Sequence, residues 1–396
     1  MKKKISALAL ISLMVAANAS ASGFRIPEQS VDSTAKAGAN IASSTRADAT
    51  YFNPANMSWL EDGTMIQGNL TYIHLTKNEY HGADGYSSNA EDENFVMPTG
   101  FIVSPYFGDF RFGISNTSPY GLAKRWKNNA GTGSAREFSM ETFELNPTLS
   151  YRINDKVSLA GGVRMMYANA TIKNVLYDME GDTIEWGYNL ALSVRPVESW
   201  NISATYRSKI DLNFSESDVR FNPTASGLLP PSAIISASTS VPAPAVLALS
   251  TSFQPLENLT VELTVDRTFW SAYDQLNIVT NPAGYSKSFL KDWDDGNAYR
   301  LGLSYDLNDA LTLMAGFAYD ECPSPNSTVG FELPDAPAWL YSVGFQYAMT
   351  ENLDVGMAVL YDYKEERDVN HPGIGAVGEF TNGGAFLVST GLNYRF

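Results

Sequence analysis

From about Gly63 onward the chain alternates apolar and polar side chains with a period of two, in stretches of roughly 10 to 20 residues. In one stretch Leu311, Leu313, Ala315, Phe317 and Tyr319 form one row, against Thr312, Met314, Gly316, Ala318 and Asp320. In another, Val157, Leu159, Gly161, Val163, Met165 and Tyr167 stand against Ser158, Ala160, Gly162, Arg164 and Ala168. In an extended strand the two rows face opposite sides. Fourteen such segments fall near 63–77, 95–104, 109–117, 136–153, 156–173, 180–195, 199–217, 242–255, 258–272, 297–307, 310–320, 337–349, 352–365 and 383–396. Short turns at Pro105–Gly108, Asn154–Asp155, Pro196–Glu198, Leu256–Glu257, Asn308–Asp309 and Thr350–Glu351 alternate with longer links.

A secreted β-sandwich or a β-solenoid would share this period, although no fixed internal repeat favours a solenoid. Three features point instead to an all-β transmembrane barrel of 14 antiparallel strands. Loops alternate short and long, aromatics collect at strand ends, and the last strand ends on an aromatic. That strand carries Phe386, Val388, Thr390, Leu392, Tyr394 and Phe396 on one face. A terminal Phe on such a strand resembles the signal read by the barrel assembly machinery.

The N-terminus has a different pattern. Lys2, Lys3 and Lys4 precede an apolar run from Ile5 to Ala17, and Ala19-Ser20-Ala21 supplies an A-x-A cleavage site. Residues 1–21 thus read as a cleaved export signal, too short to anchor in a bilayer. Residues 22–60 do not alternate and are rich in Ala, Ser, Thr and Asn. A short helix is expected to start near Ser30 or Asp32, where a side-chain oxygen caps free N–H groups. Phe24, Tyr51, Phe52 and Trp59 suit a solvated tail poorly, so 22–60 is expected to fold into the lumen as a small helical hatch. Residues 61–396 are then the barrel, whose lumen is too wide for wall side chains alone to fill.

Composition narrows the function. Of 396 residues only 18% are charged while 12% are aromatic, and the formal net charge is −16. Such an acidic chain repels phosphate backbones, which argues against nucleic-acid binding. Cys322 is the single cysteine, and His74, His81 and His371 have no ligand spacing. No metal site, cofactor or Ser-His nucleophile pair is expected, so the chain does not read as an enzyme.

Several ordered motifs carry a resemblance. They are Gly23-Phe24, Asn53-Pro54-Ala55, Thr268-Phe269-Trp270-Ser271-Ala272-Tyr273-Asp274-Gln275-Leu276, and Ala298-Tyr299-Arg300-Leu301-Gly302-Leu303. Phe317-Ala318-Tyr319-Asp320, Ser324-Pro325, Leu333-Pro334-Asp335 and Trp339-Leu340 follow in order. Together they resemble the FadL-type family of outer-membrane transporters for long-chain fatty acids, with its toluene-type hydrocarbon relatives. The resemblance spans the mature chain and departs mainly in loops. It implies a barrel in outer-membrane lipid and lipopolysaccharide, with an N-terminal hatch. It also implies loop capture of a hydrophobic small molecule and release through a lateral gap made by an inward kink of the third strand. Fatty acids and monoaromatic hydrocarbons both remain open as ligands, and a general diffusion porin is the outlying alternative.

Candidate residues follow from that reading. The expected loop at 218–241 carries Leu228, Leu229, Ile234 and Ile235, either packed loop on loop or forming a capture groove. Tyr120, Leu122 and Trp126 would make its opposing side. Phe24 and the turn Asn53-Pro54-Ala55 are the hatch and gating candidates. Gly113 is the candidate wall kink, because glycine tolerates bulge geometry. Inward rows also carry Arg164, Arg207, Lys209, Glu262, Asp266 and Arg300, expected to form ion-pair networks between wall and hatch. Arg164 and Arg207 are the candidates for binding a fatty acid carboxylate.

Overall fold

The computed structural model describes residues 23–396 apart from 131–134, 222–233, 282–283 and 285. The export signal at 1–21 lies outside the described residues, as do Leu228 and Leu229.

Fourteen wall strands close into an antiparallel barrel. The first six are β1 (Met65–Leu75), β2 (Glu93–Phe107), β3 in two pieces (Phe110–Thr117 and Gly121–Ala130), β4 (Ala135–Asn154), β5 (Val157–Asn174) and β6 (Tyr177–Val197). Next come β7 (Trp200–Arg207 and Ile210–Phe221), β8 (Ile234–Ala243 and Val246–Leu256), β9 (Leu259–Thr268) and β10 (Gly296–Asn308). The last are β11 (Leu311–Asp320), β12 (Ala338–Thr350), β13 (Leu353–Lys364) and β14 (Ala385–Arg395). The first strand pairs the last from Met65↔Arg395 to Leu75↔Ala385, which closes the barrel. Among the described residues no helix is long and apolar enough to cross a membrane, so the strands do the crossing.

The rows point as the alternation requires. Leu159, Val163, Leu313, Phe317, Val343 and Tyr361 turn outward, while Ser158, Arg164, Met314 and Ala318 are buried inside. Exposed Phe110, Tyr151, Tyr305, Tyr347 and Phe396 lie near the short-turn end, and Trp186, Tyr299, Tyr341 and Tyr363 toward the loops. These are the two aromatic girdles of a membrane barrel.

Three placements differ from the sequence expectation. The 218–241 link is shorter, because β7 runs to Phe221 and β8 begins at Ile234, so Ile234 and Ile235 stand on a strand. Residues 121–130, read as loop, are the upper half of β3. Lys209 is exposed beside Asp211 rather than facing the lumen.

The hatch fills the lumen. Its helix α1 (Val31–Ala35) is capped by Ser30, whose hydroxyl accepts from the Ser33 N–H at 3.2 Å while the Ser33 hydroxyl accepts from the Ser30 N–H at 3.0 Å. Helix α2 (Ala49–Phe52) leads into a 3₁₀ turn at Pro54–Trp59, which Pro54 can start because it has no N–H to leave unpaired. Polar contacts tie hatch to wall. The Glu262 carboxylate on β9 accepts the backbone N–H groups of Ile41, Ala42 and Ser43 at 2.7, 3.0 and 2.8 Å. Arg111 on β3 donates to the carbonyls of Met57, Leu60, Glu61 and Gly63 at 2.7–3.1 Å.

Candidate functional site

The wall is incomplete at one place. β2 pairs β3 only up to Gly100↔Asn116, whereas β2 continues upward against β1 to Glu93↔Leu75. The third strand stops at Ser118–Tyr120 and resumes at Gly121 against Glu141 of β4. Pro119 explains the stop, since it offers no N–H to a ladder and restricts the residue before it.

Hatch residues take the place of the missing neighbour. The Ile26 N–H donates to the Pro119 carbonyl at 2.8 Å, and the Gly121 N–H to the Phe24 carbonyl at 2.8 Å. Arg25 and Tyr120 form an antiparallel bridge between them. Below, the fully buried Gln29 amide meets both backbone groups of Ser118: its Nε2 donates to the carbonyl and its Oε1 accepts from the N–H, each at 2.9 Å. The Thr99 hydroxyl of β2 donates to the Gln29 carbonyl at 2.7 Å. One short segment, Phe24–Gln29, thus closes the break from inside.

The start of that segment sits in an aromatic box. The Phe24 ring packs edge-on against Trp270 with centroids 4.6 Å apart, and Tyr120, Tyr273 and Trp293 stand at 6.1–6.2 Å. Met140, Met166, Ile210, Leu212, Phe214 and Leu333 complete the cluster. The Tyr120 hydroxyl donates to the Pro244 carbonyl at 2.8 Å, which pins the box to the interruption in β8.

Charged groups lie beneath it in matched sets. Asp266 takes Arg25 at 3.1 Å and Arg300 at 3.0 Å, and Arg300 also donates to the Ala37 carbonyl at 2.9 Å. Glu144 is fully buried and holds both Arg164, at 2.8 Å, and Arg207. Arg164 further donates to the Ser208 carbonyl at 2.6 Å, and Arg207 lies over the Tyr51 ring at 4.2 Å. Glu28 of the hatch is buried with Oε1 unpartnered among the described residues, and burial pushes its carboxyl up to about 7.

The sequence candidates are sorted by this geometry. Phe24, Tyr120 and Leu122 come together at the break and box. Trp126 does not join them; it is buried with Tyr80, Phe331 and Phe380 beside a separate four-stranded sheet (Glu79–Gly82, Ser87–Asn89, Arg367–His371 and Ala376–Thr381) and donates to the Phe331 carbonyl at 2.7 Å. Ile234 is exposed, and Ile235 packs on Met179, Val219 and Ile278, away from Tyr120. Asn53 donates to Ser193 and Ser203 on two wall strands at 2.9 and 3.0 Å, and the Ala55 carbonyl accepts from Ser158 at 2.9 Å. Gly113 is not at the break: it pairs on both sides, with Val103 and Thr148. It is bare because a Cβ there would run into Thr50 and Met57 of the hatch. Arg164 and Arg207 are engaged by Glu144 rather than left facing a ligand. Gln29, Trp270, Tyr273 and Trp293 belong to the site although the sequence did not single them out as site residues. Trp270 and Tyr273 stand in a motif that carries the family resemblance, which was the available signal, whereas nothing local marks Gln29.

Residues 12–396 match the family described as outer membrane protein transport protein (OMPP1/FadL/TodX). The chain belongs to this family. As a FadL-type protein it is an outer-membrane transport barrel, not an enzyme. It is 25% identical to the long-chain fatty acid transport protein of Salmonella typhi, over 99% of this chain and 98% of that one. It is 25% identical to the 47 kDa outer membrane protein of Pasteurella multocida, over 77% and 79%. Its fold matches a Pseudomonas aeruginosa FadL homologue with TM-score 0.84 at 21% identity, covering 95% of this chain and 100% of the other. The Pseudomonas putida toluene transporter TodX matches with TM-score 0.73 at 16% identity, covering 94% and 99%.

Proposed function

We propose that this FadL-type barrel takes up hydrophobic molecules passively, with long-chain fatty acids as its substrates, and releases them sideways through the wall. The observation that carries this reading is the break at Ser118–Tyr120, which the hatch segment Phe24–Gln29 covers from inside. An apolar ligand gains roughly 0.8 kcal/mol per buried methylene, so a dry path from aromatic box to lipid avoids re-entry into water. Capture at the outer face falls to the segment carrying Leu228, Leu229, Ile234 and Ile235. Withdrawal of the hatch turns on Asn53-Pro54-Ala55, where α2 gives way to the 3₁₀ turn. The protein is assembled by the barrel machinery and sits among lipid and lipopolysaccharide.

A second reading, uptake of monoaromatic hydrocarbons, has its own support. The group in the box is a phenyl ring, that of Phe24, held by Trp270, Tyr273 and Trp293. A toluene-sized ring would fit the space that Phe24 vacates.

A reversible lock tests the route. Arg25 and Tyr120 are bridge partners, and facing residues in antiparallel pairs have Cα atoms about 4.5–5.5 Å apart, within disulfide range. The pair Arg25→Cys/Tyr120→Cys is made with Cys322→Ser. Oxidised protein should stop uptake of both oleate and toluene, and reduction should restore it. Equal uptake in the two states would reject passage through the break.

A further inference from the structure

Two carboxylates beside the break have no cation to answer them. Glu28 stands within the hatch segment Phe24–Gln29, and Asp362 stands near the upper end of β13. Each is only 2% exposed. Among the described residues neither enters an ion pair, the Glu28 Oε1 has no hydrogen-bond partner, and both side-chain oxygens of Asp362 have none. In the ladder Asp362 lies between Leu340 and Ala385, and both of these share a cluster with Ile26 of the hatch segment. The charge of Glu28 also bears on Asp362. One acid is thus carried by the hatch and the other by the wall beside it.

The surrounding charges leave these two over. Asp266 holds Arg25 at 3.1 Å and Arg300 at 3.0 Å, Arg300 also reaches Asp320 at 3.5 Å, and Asp335 holds Lys364. Three cations thereby meet three carboxylates. Lys124, the next cation, is bonded to Asn78 and lies in the field of Glu93. A buried carboxylate without a counter-charge is far less costly as the neutral acid than as the anion.

We propose that Glu28 and Asp362 both carry a proton while the hatch segment is docked, and that loss of these protons to water releases it. The wall break is then a pH-sensitive gate, shut more firmly in acid than at neutral pH. This rests on the reading above that Phe24–Gln29 withdraws from the break. Each acid gives its proton to water, and the electron pair of the broken O–H bond stays on the carboxylate. Docked, two ionised groups would repel each other in a buried space. Withdrawn, Glu28 meets solvent and carries its charge at little cost. Protons therefore favour the docked state, and docking weakens as pH rises through the titration of the docked acids.

Single-channel recording of the full-length protein in planar bilayers, with pH set equally on both sides, tests this without any ligand. Wild type should open about tenfold or more often at about pH 8 than at about pH 5. Glu28→Gln and Asp362→Asn replace each acid by an amide that imitates its neutral form. Each should lower the opening frequency at about pH 8 and flatten most of the pH dependence, and either one serves if the other fails to fold. Asp48, a further buried acid of the hatch, is bonded to Ser30 and Asn40 and is intact in both variants. A pH dependence that persists unchanged in the folded variants would belong to such a group and overturn the proposal, as would a wild-type frequency that does not vary with pH. The Arg25→Cys/Tyr120→Cys pair in the Cys322→Ser background separates this from the uptake reading. Openings that persist when the pair is oxidised would overturn the withdrawal of Phe24–Gln29, and the proposal with it. Openings that oxidation abolishes but that ignore pH would overturn the proton release alone.

Discussion

Replacing Gln29 by Leu tests the closure of the wall break most directly. The side chain is fully buried and bonds both backbone groups of Ser118, at 2.9 Å each, and the Ile26 carbonyl at 2.9 Å. Leucine fills a similar volume but strands the Ser118 N–H and C=O. Each buried orphan costs about 1–3 kcal/mol, or about 2–6 kcal/mol together. Leucine also avoids burying an amide and adds apolar contact, which offsets about 2 kcal/mol. A net loss near 2 kcal/mol raises the withdrawn population of the segment about 30-fold. Single-channel recording in planar bilayers should then register openings about 30-fold more often than wild type. Uptake of dilute toluene should rise as well if withdrawal limits the rate. Wild-type opening frequency in a correctly folded Gln29→Leu protein would refute the argument, because it would mean that these bonds do not hold the gap shut.

Three further outcomes follow from other parts of the molecule. Val343 is 56% exposed on the outward row of β12; Val343→Arg should cost roughly 2–4 kcal/mol, and folding yield in lipid vesicles should fall. Glu262→Ala strands three hatch N–H groups, so limited proteolysis should cut residues 36–46 faster while the barrel stays resistant. Burial raises the Glu28 carboxyl from 4.5 to about 7, so the docked hatch holds that proton more tightly than the free chain. Its docking contribution is complete below pH 4.5 and is lost as pH rises toward 7. Hydrogen exchange of the hatch, corrected for intrinsic rate, should be faster at about pH 8 than at about pH 5, and Glu28→Gln should flatten that difference.

The wall was legible because lipid on one side and lumen on the other impose a strict two-residue period. Where that contrast is lost, so is the signal. The upper part of β3 buries Gly121, Ala123, Lys124 and Trp126 with little alternation. It therefore read as a loop. Gly113 invited a kink because glycine is common at bulges, but what its missing side chain serves is the close approach of Thr50 and Met57. Arg164 and Arg207 were legible as inward charges. Their shared partner Glu144 lies 20 and 63 residues away in sequence, and only closure of the barrel brings the three together. Pro119 was the one local mark of the break, since proline cannot serve a central ladder.

The hatch was legible as a lumen segment from its lack of alternation and its aromatics, but its contacts were not, because many of them are polar bonds to residues far away in sequence. Asn53, Glu262, Arg111 and Gln29 each hold it through groups that water or a ligand can replace. Apolar anchors join them: Ile41, Tyr51, Phe52 and Met57 pack on Phe101 and Val103 of the wall, and Phe24 sits in the aromatic box at the break. Withdrawing a buried Phe costs about 1.5–3 kcal/mol, while each buried methylene returns about 0.8 kcal/mol. About four methylenes, or one aromatic ring, are then enough to offset its departure. A small polar solute has nothing to offer in exchange. On this reasoning the same side chain keeps the lumen closed to polar solutes and yields to apolar ones, with no energy source other than the ligand's own burial.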